Sequence, residues 1–77
     1  MNAATRTQLE KIQASLESIQ SELETFASDE RDKYDNLSEG LQNSERGQKM
    51  DEASTSLSDA ASSVESAISS LSDTINQ

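Results

Sequence analysis

The stretch Leu9-Glu10-Lys11-Ile12-Gln13-Ala14-Ser15-Leu16-Glu17-Ser18-Ile19-Gln20-Ser21-Glu22-Leu23-Glu24-Thr25-Phe26 places apolar residues at Leu9, Ile12, Leu16, Ile19, Leu23 and Phe26. The steps between them are 3, 4, 3, 4 and 3. That is the heptad rhythm of a helix packed along its length against another helix. Leu9, Leu16 and Leu23 fill one seam position, and Ile12, Ile19 and Phe26 fill the other. Thr5-x-x-Gln8 and Thr7-x-x-Glu10 both fit a capping box, so the helix is expected to begin within residues 2–7.

The rhythm stops after Phe26 and returns at Met50. Met50, Leu57, Val64 and Leu71 repeat every seven residues, interleaved with Ser54, Ala61, Ile68 and Ile75. This second seam has small residues near its start, Ser54 and Ala61, which should let the partner helix approach closely opposite the bulky Phe26. Ala53, Ala60 and Ala67 form another seven-residue stripe beside it. A lone hairpin needs one apolar seam per helix, so this stripe widens the apolar face towards a bundle. Nine of the nineteen residues from Ser54 to Ser72 are serine, a middling helix former, so the arm depends on packing for its helicity.

Between the arms lies Tyr34-Asp35-Asn36-Leu37-Ser38-Glu39-Gly40-Leu41-Gln42, which holds the only tyrosine and one of the two glycines. Asn36-x-x-Glu39 fits an N-cap signature, and Leu37 and Leu41 stand four apart behind it. A short helical turn is expected over about residues 37–42, with Asn43 or Ser44 capping the next helix. The sequence therefore predicts helix 1 over about 5–33, a turn over about 34–43 and helix 2 over about 44–76. A connection this short makes the arms antiparallel neighbours. The expected fold is all-α: an antiparallel coiled-coil hairpin, dimerising into a four-helix bundle.

The turn, continued through Ser44-Glu45-Arg46-Gly47-Gln48-Lys49-Met50, resembles that of small helical proteins carried by tailed phages and prophages. Their turn reads aromatic-Asp-Asn-Leu/Met-Pro-Glu-Gly/Asn-Leu-Gln, with flanking arms rich in Glu, Ser and Ala. Here Ser38 replaces the proline. The resemblance covers roughly residues 33–50 in its specific part. It implies a viral or prophage origin and brings no activity with it.

Composition narrows the function classes. The chain has 77 residues and a net charge of −9, and Leu, Ile, Val and Phe number 13. So polar a chain does not easily stabilise a monomeric globule, and burial is expected from a partner or from self-association. Cys and His are absent, which removes thiol chemistry, the usual zinc ligands and the usual neutral-pH base. The spacing of Asp29, Asp32 and Asp35 lacks the alternation and glycine of a calcium loop. No nucleophile–base set or phosphate loop occurs. The expectation is a non-enzymatic protein without cofactor or metal.

Direct binding to nucleic acid or an anionic membrane is disfavoured by charge. With no leader-like or transmembrane run, the cytoplasm of a host cell is the expected location. Glu10, Glu17 and Glu24 recur every seven residues beside the first seam. Every charge after residue 50 (Asp51, Glu52, Asp59, Glu65 and Asp73) is negative, and all six cations precede it.

The candidate recognition surface is the turn: Tyr34, Asp35, Asn36, Leu37, Glu39, Gly40, Leu41, Gln42, Arg46 and Lys49. The leading functional expectation is a phage-encoded protein that binds and blocks a host factor, an immunity component among the candidates. The alternatives are a structural or oligomerisation component of a phage, a DNA mimic, and a bundle holding a small anion near Arg31, Lys33, Arg46 and Lys49. A secreted helical hairpin of the Trp-x-Gly type shares the architecture, but its motif is missing here.

Overall fold

A computed structural model describes all 77 residues. Three helices follow in order: α1 Ala3–Asp35, α2 Glu39–Gln42 and α3 Glu45–Ile75. The two long helices lie antiparallel in a rod of 58 × 14 × 13 Å, with α2 tucked against the start of α3. The first helix starts at Ala3, within the expected 2–7, but neither Thr5 nor Thr7 caps it. Asn2 is its N-cap, with the side-chain oxygen accepting from the Thr5 N–H at 2.8 Å, so Thr5 and Thr7 lie inside the first turns. It ends later than expected, taking Tyr34 and Asp35 into its last turn.

Three cross-links fix the pairing of the arms. The Ser54 hydroxyl donates to the Ala27 carbonyl at 3.3 Å, Arg31 meets Asp51 at 2.7 Å, and the Arg6 Nε donates to the Ile75 carbonyl at 3.0 Å. Paired residue numbers thus add to 81 or 82 along the whole rod. Arg6 also reaches the Gln77 carbonyl, so a cation of α1 serves the C-terminal end of α3, whose own last turn has none.

This register divides the apolar residues of α1 in a way the sequence did not foretell. Leu9, Leu16 and Leu23 turn inward, half-buried at the levels of Leu71, Val64 and Leu57. The alternate seam layers are filled by Gln13, Gln20 and Ala27, at the levels of Ile68, Ala61 and Ser54. Ile12, Ile19 and Phe26, expected inside the hairpin seam, lie on its flank and are 49%, 44% and 59% exposed.

The reason is size. On α3 the residues facing the seam towards the turn are Gly47, Ser54 and Ala61, all buried. Backbones that approach over such small side chains leave room for Ala27 and none for Phe26. The second arm meets its expectation more closely: Met50, Leu57, Val64, Ile68, Leu71 and Ile75 are half-buried along one face and Ala61 is buried.

The hairpin's own core is therefore thin. Four residues in all are buried: Ala27, Gly47, Ser54 and Ala61. Close approach at these points is the main source of its packing. Replacing Ala61 by Leu should force the helices apart at mid-rod and cost about 1–3 kcal/mol, the usual penalty for overpacking. Thermal melts followed by circular dichroism would show this as a lowered midpoint.

Candidate functional site

Two long sides and one end of the rod carry chemistry. In an antiparallel pair, the residues flanking the seam on one helix share a side with their equivalents on the other. One position after the Leu9–Leu16–Leu23 line of α1 and the Met50–Leu57–Val64 line of α3, the Arg31–Asp51 pair marks the first side. Glu10, Glu17 and Glu24 follow on that side of α1, and Glu65 on that side of α3. The acidic stripe is thus real as a surface, interrupted by one cation at the turn end. The hydrogen bond to Asp51 raises the Arg31 guanidinium above its ordinary pKa, desolvation opposing it. Arg31 also lies over the Tyr34 ring, 5.2 Å from its centroid.

The opposite side is apolar. It carries Ile12, Ile19 and Phe26 of α1 together with Ala53, Ala60 and Ala67 of α3. Ala53 and Ala60 are half-buried, and Ala67 is exposed. No charged residue occupies these flanking positions between Thr5 and Phe26, or between Ala53 and Thr74. The first three of these residues were assigned by sequence to the hairpin seam. A cue to their true place existed: Gln13, Gln20 and Ala27 also continue a seven-residue line from Arg6 to Tyr34.

At the turn end the backbone is tightly organised. Asn36, expected as an N-cap, is the C-cap of α1, donating its N–H to the Asp32 carbonyl at 3.1 Å. Ser38 caps α2 instead, its hydroxyl accepting from the Leu41 N–H at 3.4 Å. Its φ of −63° is the value a proline ring imposes, and its N–H meets no backbone acceptor. Serine therefore stands here in a geometry that a proline would also satisfy. Ser44 caps α3, accepting from the Gly47 N–H at 3.2 Å and donating to the Leu41 carbonyl.

The expected recognition residues divide into a closed set and an open set. Tyr34, Leu37 and Gln42 are half-buried, and the Gln42 amide donates to the Tyr34 carbonyl at 3.1 Å. These three close the hairpin. Asp35, Asn36, Glu39, Gly40, Leu41, Arg46 and Lys49 are exposed. Leu41 is a large apolar side chain pointing away from the rod's packing.

The four cations near the turn are not gathered into one site. Arg31 belongs to the acidic side, where Asp51 holds it, whereas Lys33 pairs with Glu30 at 3.2 Å and Lys49 with Glu45 at 3.3 Å on other faces. Glu30, Glu45, Arg46, Lys49 and Met50 line an open groove of about 480 Å³ whose charges are mixed. No group of three or more acidic side chains is arranged to hold a metal ion, and no helix is long and apolar enough to cross a membrane. No protein-family model matches the chain, and no curated protein or solved structure shows significant similarity to it.

The two glycines test the turn. A Cβ at Gly47 would collide with the carbonyl oxygens of Leu41 and Gln42, whereas one at Gly40 would meet nothing within 4 Å. Gly47→Ala should displace α2 from α3 and lower the melting midpoint. Gly40→Ala should be neutral or stabilise by about 0.5–1 kcal/mol, the ordinary gain of alanine over glycine in a helix. The two variants compared in one melting series provide the check.

Proposed function

We propose that this protein is a non-catalytic, phage-encoded helical interaction protein, acting in the host cytoplasm as a homodimeric four-helix bundle that binds and blocks a host protein. The observation that carries the self-association is the uncovered apolar side: Ile12, Ile19 and Phe26 stand about half exposed beside the alanine stripe. The hairpin buries only four residues, and a thin two-helix rod rarely offsets its own ordering entropy. One long face of a 58 × 14 Å rod is of order 800 Å², about what each partner contributes to a stable interface. The turn end supports the host-binding reading. It presents exposed Leu41 among charges of both signs, and elsewhere the exposed surface is apolar on one side and acidic on the other.

A second reading has its own observation. Glu10, Glu17, Glu24 and Glu65 share one long side, so a cationic nucleic-acid channel would find a row of carboxylates there. Binding of that kind would weaken steeply with salt and survive Leu41→Asp.

Completing the burial of Ile12, Ile19 and Phe26 is worth roughly 1 kcal/mol for each side chain. Ile19→Asp should therefore raise the dimer dissociation constant at least about a hundredfold, since two carboxylates enter the interface and each 1.4 kcal/mol is tenfold. Light scattering should show a dimer for the parent chain and a monomer for the variant, with reduced helicity by circular dichroism. A parent chain that is monomeric at every concentration overturns the bundle. For the host partner, capture from host extract by the parent protein should be lost with Leu41→Asp. Equal capture by both, or none by either, counts against recognition at the turn.

A further inference from the structure

The apolar side is not uniform, and its unevenness selects how a second copy sits. The bulky residues are all on α1 and the small ones all on α3. The register places Phe26 at the level of residue 55, between Ala53 and Ser56. Ile19 falls at the level of residue 62, between Ala60 and Ser63. Ile12 falls at the level of residue 69, between Ala67 and Ser70. The three serines are exposed, one turn or less from the alanines on the outer part of the same side. Each large side chain of α1 therefore has, at its own height on α3, a shallow site walled by two small residues.

Two isologous pairings can bury this side. In one, a two-fold axis lies across the rods, so α1 packs on the partner's α1, α3 on the partner's α3, and the turns point to opposite ends. That sets Ile and Phe against Ile and Phe on one half, and Ala and Ser against Ala and Ser on the other. Helix separations run from about 8 to 10 Å with the size of the contacting side chains, so the two halves would demand different spacings from rigid hairpins. In the other, the axis runs along the rods, so each α1 packs on the partner's α3 and both turns lie at one end. Large then meets small on both halves, at one spacing and without axial shift.

Resting on the dimer proposed above, we infer that the second copy docks with α1 over the partner's α3. Ile12, Ile19 and Phe26 then insert at the partner's alanine–serine levels, with both turns at the same end. Of the cations brought together at that end, Lys33 and Lys49 each already pair with a glutamate on their own chain, which leaves Arg46, solvent-exposed and screened, as the one without an ion pair. The consequence is a bivalent pole. Two copies of Leu41 and Arg46 share one end of the bundle, so the candidate recognition surface is built from both chains.

The chain has no cysteine, so single cysteines report cleanly on proximity. Ile19→Cys and Ala60→Cys are prepared separately, then unfolded, mixed, refolded and oxidised. Disulfide-linked dimer should form in the mixture of the two and be nearly absent from either variant alone. Ser15→Cys with Ser63→Cys, which leaves the apolar stripe intact, should behave in the same way. Self-linking of Ile19→Cys alone would overturn the arrangement in favour of α1 on α1. So would a dimer by light scattering that links at neither pair. Failure of the parent chain to dimerise is a different result, identified by light scattering before any oxidation, and removes the underlying dimer as well.

Discussion

Backbone proximity at the turn end is the constraint on which the rest depends. Gly47 lies against the carbonyls of Leu41 and Gln42, leaving no room for a side chain. One turn or two further on, Ser54 reaches the backbone of Ala27. The first contact holds α2 on the start of α3; the second, with the Arg31–Asp51 and Arg6–Ile75 links, fixes the register of α1 on α3. Once Ala27 occupies the seam, the heptad places Gln20 and Gln13 in the same line and turns Phe26, Ile19 and Ile12 outward. The outward place of Phe26, Ile19 and Ile12 is thus decided by the close packing at Ala27, Ser54 and Ala61, because a packed helix cannot rotate one segment alone.

The arrangement gives up apolar burial inside the hairpin in order to expose it on one side. Three leucines pair with Leu57, Val64 and Leu71, while glutamines and small residues separate them. A core of that kind is marginal alone, given that native stability is a small difference between large terms. The same rotation concentrates the remaining apolar area where another helix pair can cover it. In the proposed dimer, the outward isoleucines and phenylalanine form the second seam of a bundle, and the mixed-charge turn is the end of that thicker object.

Much of the architecture was legible in the residues. The steps of 3 and 4 from Leu9 to Phe26, their return from Met50, and the break between them identify two helices and their antiparallel meeting. The seam of α3 was readable too, since Gly47, Ser54 and Ala61 continue the line of Ile68 and Ile75. What was not legible was the side of α1 that faces it. The leucine line of α1 is flanked by Ile12, Ile19 and Phe26 on one side and by Gln13, Gln20 and Ala27 on the other, so the helix offers two seams, and hydrophobicity alone favours the richer one. Steric fit against the small residues Ser54 and Ala61, far along the chain, reversed that choice. The cap of α2 was misplaced by two residues for a similar reason: Asn36 and Ser38 are both competent caps, and only the path of the backbone chooses between them, whereas Ser44 caps α3 as one of the two residues expected there. The cations around the turn looked like one cluster because they are close in sequence, yet their heptad positions send Arg31 to the opposite side from Lys33.

Coupling between folding and self-association is the central consequence of the proposed dimer, and the melting temperature as a function of protein concentration tests it most directly. Binding to the folded chain alone stabilises it by mass action. A midpoint that climbs by several degrees over a hundredfold increase in concentration is the expected result. A midpoint that stays constant over that range, with the helical signal intact, would mean that the hairpin stands alone and that its apolar side is simply exposed.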